Sequence, residues 1–436
     1  MKGSLEKIAA DDTVRLIAEL AGDLGMDAYL AGGGVRDCLL GREVNDLDFA
    51  LSGAWEELPR LFAARWGGSF FWLDEGRLQA RVSKKTAGGT LVRDFAPLRG
   101  ATIEDDLRQR DFTVNALAMK VAGGELIDPL RGGPDLDGKL IRACSDHAFD
   151  DDPLRLLRAL RFAAELGFTV EEGTWNDLRR KGDLLGGVAT ERVRDELFRL
   201  LAAPGIGANL AMLDASRLLP VIFPWFAQDQ ASLERRIART VTVERVCCKL
   251  VRLFQQGGDR LTAFLGADVE AGITQLSLMK LAAFIGSDET SAAALSERLR
   301  LGRKSGRLLE LFCRGAGDAF EILERTAAER ARFRFFRDRE PSGPGMVIIA
   351  LADGTASRAL SAELVAYFAE RYDPQGDDLL LSGREIMELM GLGEGRGVGE
   401  AMARLREAES RGMVDGREEA REFLRKNLLT KPAPMR

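Results

Sequence analysis

Polar and apolar positions follow two different rhythms along this chain. Val14, Leu16, Ile17 and Leu20 fall at three- and four-residue steps, which predicts a helix over 12–24. Residues 25–125 then alternate short apolar runs with helical spacing, and strands are predicted over 28–31, 46–51, 69–73, 78–83, 90–96 and 115–120. After Asp128-Pro129 and the Gly-rich turn RGGPDLDG the spacing is helical almost to the end. It is clearest over 153–166, 190–202, 232–254, 293–313 and 320–336. The segment Asp338 to Gly345 (DREPSGPG) reads as a linker or hinge. The organisation this implies is a small mixed head over 1–138, a helical neck over 139–204, a helical body over 205–345 and a helical tail over 346–436.

Composition fits a large enzyme with several cores, because 46% of the 436 residues are hydrophobic. No run of eighteen apolar residues occurs and MKGSLEKIAADD has no apolar signal core, so a cytoplasmic protein without a membrane partner is expected. Cys38, Cys144, Cys247, Cys248 and Cys313 are scattered without metal spacing and read as buried cytosolic thiols. The net charge of −6 means that any nucleic-acid-binding face is a local patch rather than a global field. His147 is the single histidine, which excludes catalysis built on several imidazoles.

The chemistry concentrates in YLAGGGVRDCLLGREVNDLDFA, from Tyr29 to Ala50. An apolar strand enters a glycine run, and a helix start follows. Gly32 and Gly33 let backbone N–H groups close on phosphate oxygens, which a helix N-terminus also favours. Arg36 adds a fork of charged donors. Asp46 and Asp48 stand at i and i+2 of a strand, so both carboxylates point to one face and suit a pair of Mg²⁺ ions bridging to phosphates. Taken singly, the glycines make an ordinary turn and the acids a solvated strand edge. The dinucleotide-binding spacing is absent, since no third glycine follows at the required offset.

AGGGVRDCLLGREVNDLDFAL resembles the first motif of the class II tRNA nucleotidyltransferase and bacterial poly(A) polymerase family, a branch of the polymerase-beta-like nucleotidyltransferases. LRQRDFTVNALAM (Leu107 to Met119) resembles its RRDFTxNA motif, and DDPLRLLRALRFAAELGF (Asp151 to Phe168) its EDxxRxLRAxRF motif. TERVRDELFRLL (Thr190 to Leu201) resembles the ERxxxEL motif that follows, and residues 379–420 look like the tail of bacterial CCA-adding enzymes. The resemblance implies an α+β fold, with a polymerase-beta-like nucleotidyltransferase head on a mixed sheet before an all-helical neck, body and tail.

It also implies roles. The reaction would be template-independent addition of CMP and/or AMP to the 3′ end of tRNA, with Mg²⁺ as cofactor and CTP, ATP and tRNA as partners. Asp94, before a similarly spaced arginine (Arg99), would be a third catalytic carboxylate beside Asp46 and Asp48. Arg110 would contact phosphate, and Asp111 and Asn115 the ribose. Pro153 makes Asp152 a natural N-cap, with Arg155 and Arg158 following on roughly the same helical face. A carboxylate beside a guanidinium can read a base edge without a template, and in the family this pair selects the nucleotide, implying Asp152 and Arg155 here. Glu191, Arg192 and Arg194 are better read as bracing the neck.

The chain departs from the family pattern in places. Gln109 replaces the first arginine of RRDFT, and Asp151 stands where Glu is usual. The link from Arg99 to Glu104 (RGATIE) is very short, whereas many full CCA-adding relatives have a longer mobile loop there. A short link resembles relatives that add only the two cytidines. A poly(A) polymerase and a catalytically inactive binder of structured RNA are the other readings. Basic segments at 233–240, 297–314 and 329–339 are candidates for tRNA contact, with Arg303, Lys304 and Arg307 the densest cluster in the second.

Overall fold

The computed structural model describes residues 2–44, 46–76, 78–87, 89–224, 230–287, 289–374 and 379–428. By contact the chain forms two units, Met1–Val188 with Leu213–Ile222, and Ala189–Met212 with Phe223–Arg436.

The first unit opens with α1 (Lys2–Ala9), α2 (Asp12–Asp23), β1 (Ala28–Ala31), α3 (Gly33–Leu39) and β2 (Asp46–Leu51). It continues through α4 (Glu57–Trp66), β3 (Ser69–Asp74), β4 (Gln79–Thr86), β5 (Gly89–Pro97) and α5 (Ile103–Arg108). Then come β6 (Ala118–Lys120), β7 (Leu126–Ile127), α6 (Gly132–Asp137), α7 (Ala148–Asp151) and α8 (Arg155–Leu166). The strands form one sheet in the order β3-β4-β5-β2-β1-β6-β7. Only β2 and β5 pair in parallel within it, so the sheet is mixed as expected. One face is closed by an aromatic layer in which Phe95 meets Phe49 at 5.4 Å and Phe62 of α4 at 5.6 Å. On the other face, α5 covers β1, β2 and β6 through a cluster that includes Tyr29, Ala31, Ala50, Ile103 and Leu107. The aromatic and aliphatic bulk on both sides fixes the strand register, because a one-residue slip would turn the apolar set outward.

RGGPDLDG is not a turn. The Asp128 carboxylate accepts from the Gly132 and Gly133 N–H groups at 2.7 and 2.9 Å and starts α6. A Cβ on Gly132 would collide with the Thr113 carbonyl, so this helix docks only through glycine. The strand placed over 115–120 begins at Ala118, because Thr113–Asn115 is a single turn of 3₁₀ helix.

The second unit is helical, apart from the short hairpin of Asp268–Glu270 and Ile273–Thr274. Of its expected long helices, the one over 190–202 forms unbroken as Thr190–Ala202, and the other three are divided. Gln230–Cys247 is followed by Leu250–Leu253, Glu289–Arg298 by Arg303–Arg314, and Ala319–Arg325 by Glu329–Asp338. The second break has two causes: Arg300 takes φ 48°, and Glu270 of the hairpin accepts from Gly302 and Ser305 N–H at 3.1 and 3.3 Å, starting a new helix. Asp338 to Gly345 is not a linker either, since a helix over Gly343–Asp353 begins inside it and Ser342 is fully buried. Leu381, Ile386, Leu405, Val414, Ala420 and Leu424 belong to a separate core in the tail-like segment.

No helix among the described residues is long and apolar enough to cross a membrane. Cys38 and Cys313 are buried as expected, but Cys144 and Cys247 are half-buried and Cys248 is exposed.

Candidate active site

Alternation along β2 buries Leu47 and turns Asp46 and Asp48 together to the open face, as their spacing requires. The parallel pairing of β2 with β5 sets Asp48 directly beside Asp94. Asp94 is in turn the register partner of Arg81 on β4, whose Nε and Nη2 each donate to a different carboxylate oxygen at 2.7 Å. Asp48 and Asp94 line a cleft of about 230 Å³ with Leu73, Gln79, Arg99 and Arg110. Packing around the cleft floor, and then the charge of Asp94, push the Asp48 carboxyl up to about 6, against the opposing pull of Arg110. Asp48 nonetheless presents its carboxylate to the cleft, where it is solvent-exposed.

Two acids on one strand are the hard oxygen donors that a divalent cation prefers. Asp46 and Asp48 share the open face of β2 and Asp94 stands beside Asp48, so such a cation would relieve their mutual repulsion and the residues present fit Mg²⁺. Among the described residues no group of three or more acidic, cysteine or histidine side chains is close enough to hold a metal alone. Substrate phosphate and water would complete the coordination.

The glycine turn supplies the opposite wall. Gly32 adopts φ 83°, and a Cβ there would lie 2.7 Å from Nη1 of Arg110, so the guanidinium rests directly against the bare backbone. Asp106, 2% exposed, holds that guanidinium with an Nε–Oδ2 bond of 2.9 Å and also accepts from the Arg99 N–H at 3.2 Å. Arg36 is turned inward. Its Nε and Nη2 donate to Asp37 at 2.9 and 2.8 Å, its Nη1 to Oδ1 of Asn115 at 2.6 Å, and it lies over the Phe162 ring.

The second and third motifs meet through a buried relay. Asn115 Nδ2 donates to Asp111 at 3.0 Å, and Arg158 reaches the other oxygen of Asp111 from α8 at 3.0 and 2.6 Å. Burial works to raise the Asp111 pKa, but Arg158 and the bonds from Asn115 and the Phe112 N–H outweigh it and hold the carboxylate below its ordinary range. Asp152 accepts from the Leu154 N–H at 3.2 Å, but the N-cap position of α8 falls to Leu154 rather than to Asp152, which ends α7. Arg155 donates to the Gln109 carbonyl at 2.8 Å and to the Ala148 carbonyl at 3.1 Å. The residues of the three motifs thus form one connected wall beside the acids. Arg81 and Asp106 escaped the sequence reading; Asp106 and Arg110 stand at i and i+4, a visible signal, whereas Arg81 meets Asp94 only through strand register.

The short link after β5 is a closed turn. Gly100 adopts φ 139° against Asp105, Thr102 and Asp105 form a capping box, and the Gln109 amide donates to the Arg99 carbonyl. The side chain that replaces the usual arginine therefore ties this turn down.

In the second unit, Glu191 pairs with Arg300, and Arg194 donates to the Arg300 carbonyl at 3.0 Å, so both brace the helices as expected. Of the basic segments, 233–240 sends Arg239 to Asp353 at 2.7 Å and Arg236 to backbone carbonyls. Segment 329–339 buries Arg332 and Arg334 in ion pairs with Glu363 and Glu409. Arg303, Lys304 and Arg307 are exposed, and Arg303 and Arg307 line a groove of about 520 Å³ with Arg314.

The model of the "Poly A polymerase head domain" matches residues 28–142, and that of the "Probable RNA and SrmB- binding site of polymerase A" matches residues 167–229. A CC-adding tRNA nucleotidyltransferase of Geobacter sulfurreducens is 42% identical over 97% of this chain and 96% of its own. An A-adding tRNA nucleotidyltransferase of Deinococcus radiodurans is 33% identical, with 92% and 95% covered. A CC-adding tRNA nucleotidyltransferase of Thermus thermophilus is 35% identical, with 91% and 93% covered. In architecture, a CCA-adding enzyme solved with CTP superposes with a TM-score of 0.72 at 22% identity, covering 98% of both chains.

Proposed function

From the premise that this chain belongs to the tRNA nucleotidyltransferase and poly(A) polymerase family, we propose that it adds CMP, without a template, to the 3′ end of tRNA and stops after two cytidines. The observation that carries the stop is the tied-down turn from Arg99 to Thr102, which leaves no mobile loop between β5 and α5. The 42% identity to a CC-adding enzyme along nearly the whole chain supports the same reading.

Asp46 and Asp48 would hold Mg²⁺, which when bound supplies neutralisation of the triphosphate charge and activation of the attacking oxygen. Asp94, fixed by Arg81, faces the point where the primer 3′-hydroxyl loses its proton as it attacks the α-phosphate and pyrophosphate leaves. Arg110, backed by Gly32 and Asp106, is the cation that meets the triphosphate. Arg36, Asn115, Asp111 and Arg158 act together. Their mutual bonds hold the ribose-facing wall in one geometry, and displacement of one bond by a sugar hydroxyl gives the site its preference for ribonucleotides. Asp152 and Arg155 stand at the base-reading edge of that wall. Exposed Arg303, Lys304 and Arg307 provide a phosphate-binding face that positions tRNA without reading its sequence.

The test uses one tRNA transcribed to end before CCA, after C and after CC, each incubated with Mg²⁺ and CTP, ATP or both, and resolved at single nucleotides. Growth by two residues from the first transcript and none from the CC-ended one is expected. Extension of the CC-ended transcript with ATP overturns the stop, and long A tails on arbitrary RNA overturn the substrate.

A further inference from the structure

The register that aligns the acids extends one strand further. Asp48 pairs with Asp94, Asp94 with Arg81, and Arg81 with Phe71 of the edge strand β3. Cross-strand partners share a face, so Phe71 stands in the same row as the acids. Phe70 and Trp72 point the other way, where Trp72 meets Trp55 at 5.7 Å and Arg60 lies over the Phe70 ring at 4.3 Å. The two bulky apolar side chains of β3 on the open face are Phe71 and Leu73, and they are 42% and 46% exposed. Leu73 also lines the cleft that holds Asp48 and Asp94. An uncovered aromatic on an edge strand is a liability for a soluble protein unless a ligand uses it.

Adjacent strands lie about 4.8 Å apart, which puts Phe71 about 10 Å from the Asp94 position and about 14 Å from Asp48. A stacked single strand advances about 3.4 Å per nucleotide, so this is the span of the last few nucleotides of a primer whose 3′-hydroxyl sits at the acids. We propose that Phe71, supported by Leu73, is the platform on which a base among the last five of the tRNA primer stacks, and so a positioning residue for the primer end. This rests on the nucleotidyl-transfer reading above. It is compatible with successive additions, because every base offers a π-face and stacking does not depend on sequence.

The test is a cycle of protein and primer changes in the full chain. Phe71→Ala is expected to raise the KM for primer tRNA roughly tenfold, within the range of one lost stack, while leaving CTP binding unchanged. Phe71→Trp should retain wild-type KM, and Phe71→Leu, apolar but not aromatic, should not. On primers made abasic at each of the last five positions in turn, the penalty of Phe71→Ala should vanish at one position. A wild-type KM for Phe71→Ala, or a penalty that persists on every abasic primer, overturns the proposal. So does a dimer in sedimentation that dissociates on Phe71→Ala with primer KM unaltered, which would make β3 an interface between copies. If the wild-type chain adds no nucleotide, the reaction assigned above fails instead. The stacking cycle is then read from primer anisotropy alone.

Discussion

Arg81 and Asp94 form a two-pronged ion pair, with Nε and Nη2 of the guanidinium each 2.7 Å from a carboxylate oxygen. That geometry fixes the carboxylate plane as well as its position, which a single-point contact from lysine would not do. Arg81→Lys is therefore expected to lower kcat by roughly tenfold to a hundredfold through a small misplacement of Asp94. Both partners are partly exposed, so the loss in stability should stay near about 1 kcal/mol. Steady-state kinetics beside a thermal melt checks both halves of this expectation.

Asp48 titrates at about 6 in the folded chain, well above an ordinary aspartate. A raised carboxyl pKa means that the folded state binds the proton more tightly than the unfolded state. The ionised form then weakens the fold above pH 6, and the penalty is relieved as pH falls through about 6 towards 4. Asp48→Asn should accordingly raise stability at pH 7.5 by at most about 1 kcal/mol, discounted because the carboxylate faces solvent, and by nothing near pH 4. Asp46→Ala and Asp48→Ala should each abolish CMP incorporation while tRNA affinity stays nearly intact. At subsaturating Mg²⁺, activity should rise with pH across 6 as Asp48 gives up its proton to bind the cation.

Much of the candidate site was legible because its signals are local. Turn glycines, an i, i+2 acid pair and alternating strands act within a few residues, and the Asp46/Asp48 face followed from period two alone. The pairing of Arg81 with Asp94 was not, since thirteen residues and a hairpin register separate them and no local pattern encodes a register. Arg36 reads in sequence as a fork of donors for phosphate, whereas Asn115, 79 residues away, accepts from it and turns it inward. The helical half misled for a related reason. Apolar spacing runs unbroken through 293–313, and the break after Arg298 depends on Glu270, which reaches the new helix start from a distant hairpin. The arginines of 329–339 read in sequence as a candidate RNA face, whereas Glu409, far along the chain, pairs with Arg334 in the interior.

Arg158 and Asp111 test the relay between the second and third motifs. Asp111 is almost wholly buried, so Arg158→Ala leaves an uncompensated carboxylate and should cost about 2–4 kcal/mol, read by denaturant unfolding. Because the Asp111 pKa is held low in the fold, this pair contributes stability above the unfolded aspartate pKa and loses it as pH falls through the folded value. The difference between wild type and Arg158→Ala should therefore be large at neutral pH and shrink in acid. Addition of Asp111→Asn to Arg158→Ala should recover part of the loss, since the amide carries no buried charge.

Gly32→Ala tests the proposed phosphate wall separately from Asp46 and Asp48. The added Cβ would lie 2.7 Å from Nη1 of Arg110, and φ 83° is strained for any side chain. The guanidinium is the movable partner, but Asp106 holds it from behind with bonds at Nε and Nη2 of 2.9 Å each, so it shifts only by breaking that pair. The expected result is an increase in KM for CTP of about tenfold or more, with tRNA affinity unchanged and a stability loss of about 1–2 kcal/mol from backbone strain. Arg110→Ala should raise the same KM without the strain. In the double variant the two KM effects should fall well short of multiplying, because both act through one guanidinium. Fully multiplicative effects would mean that Gly32 meets the triphosphate through its own backbone N–H, independently of Arg110.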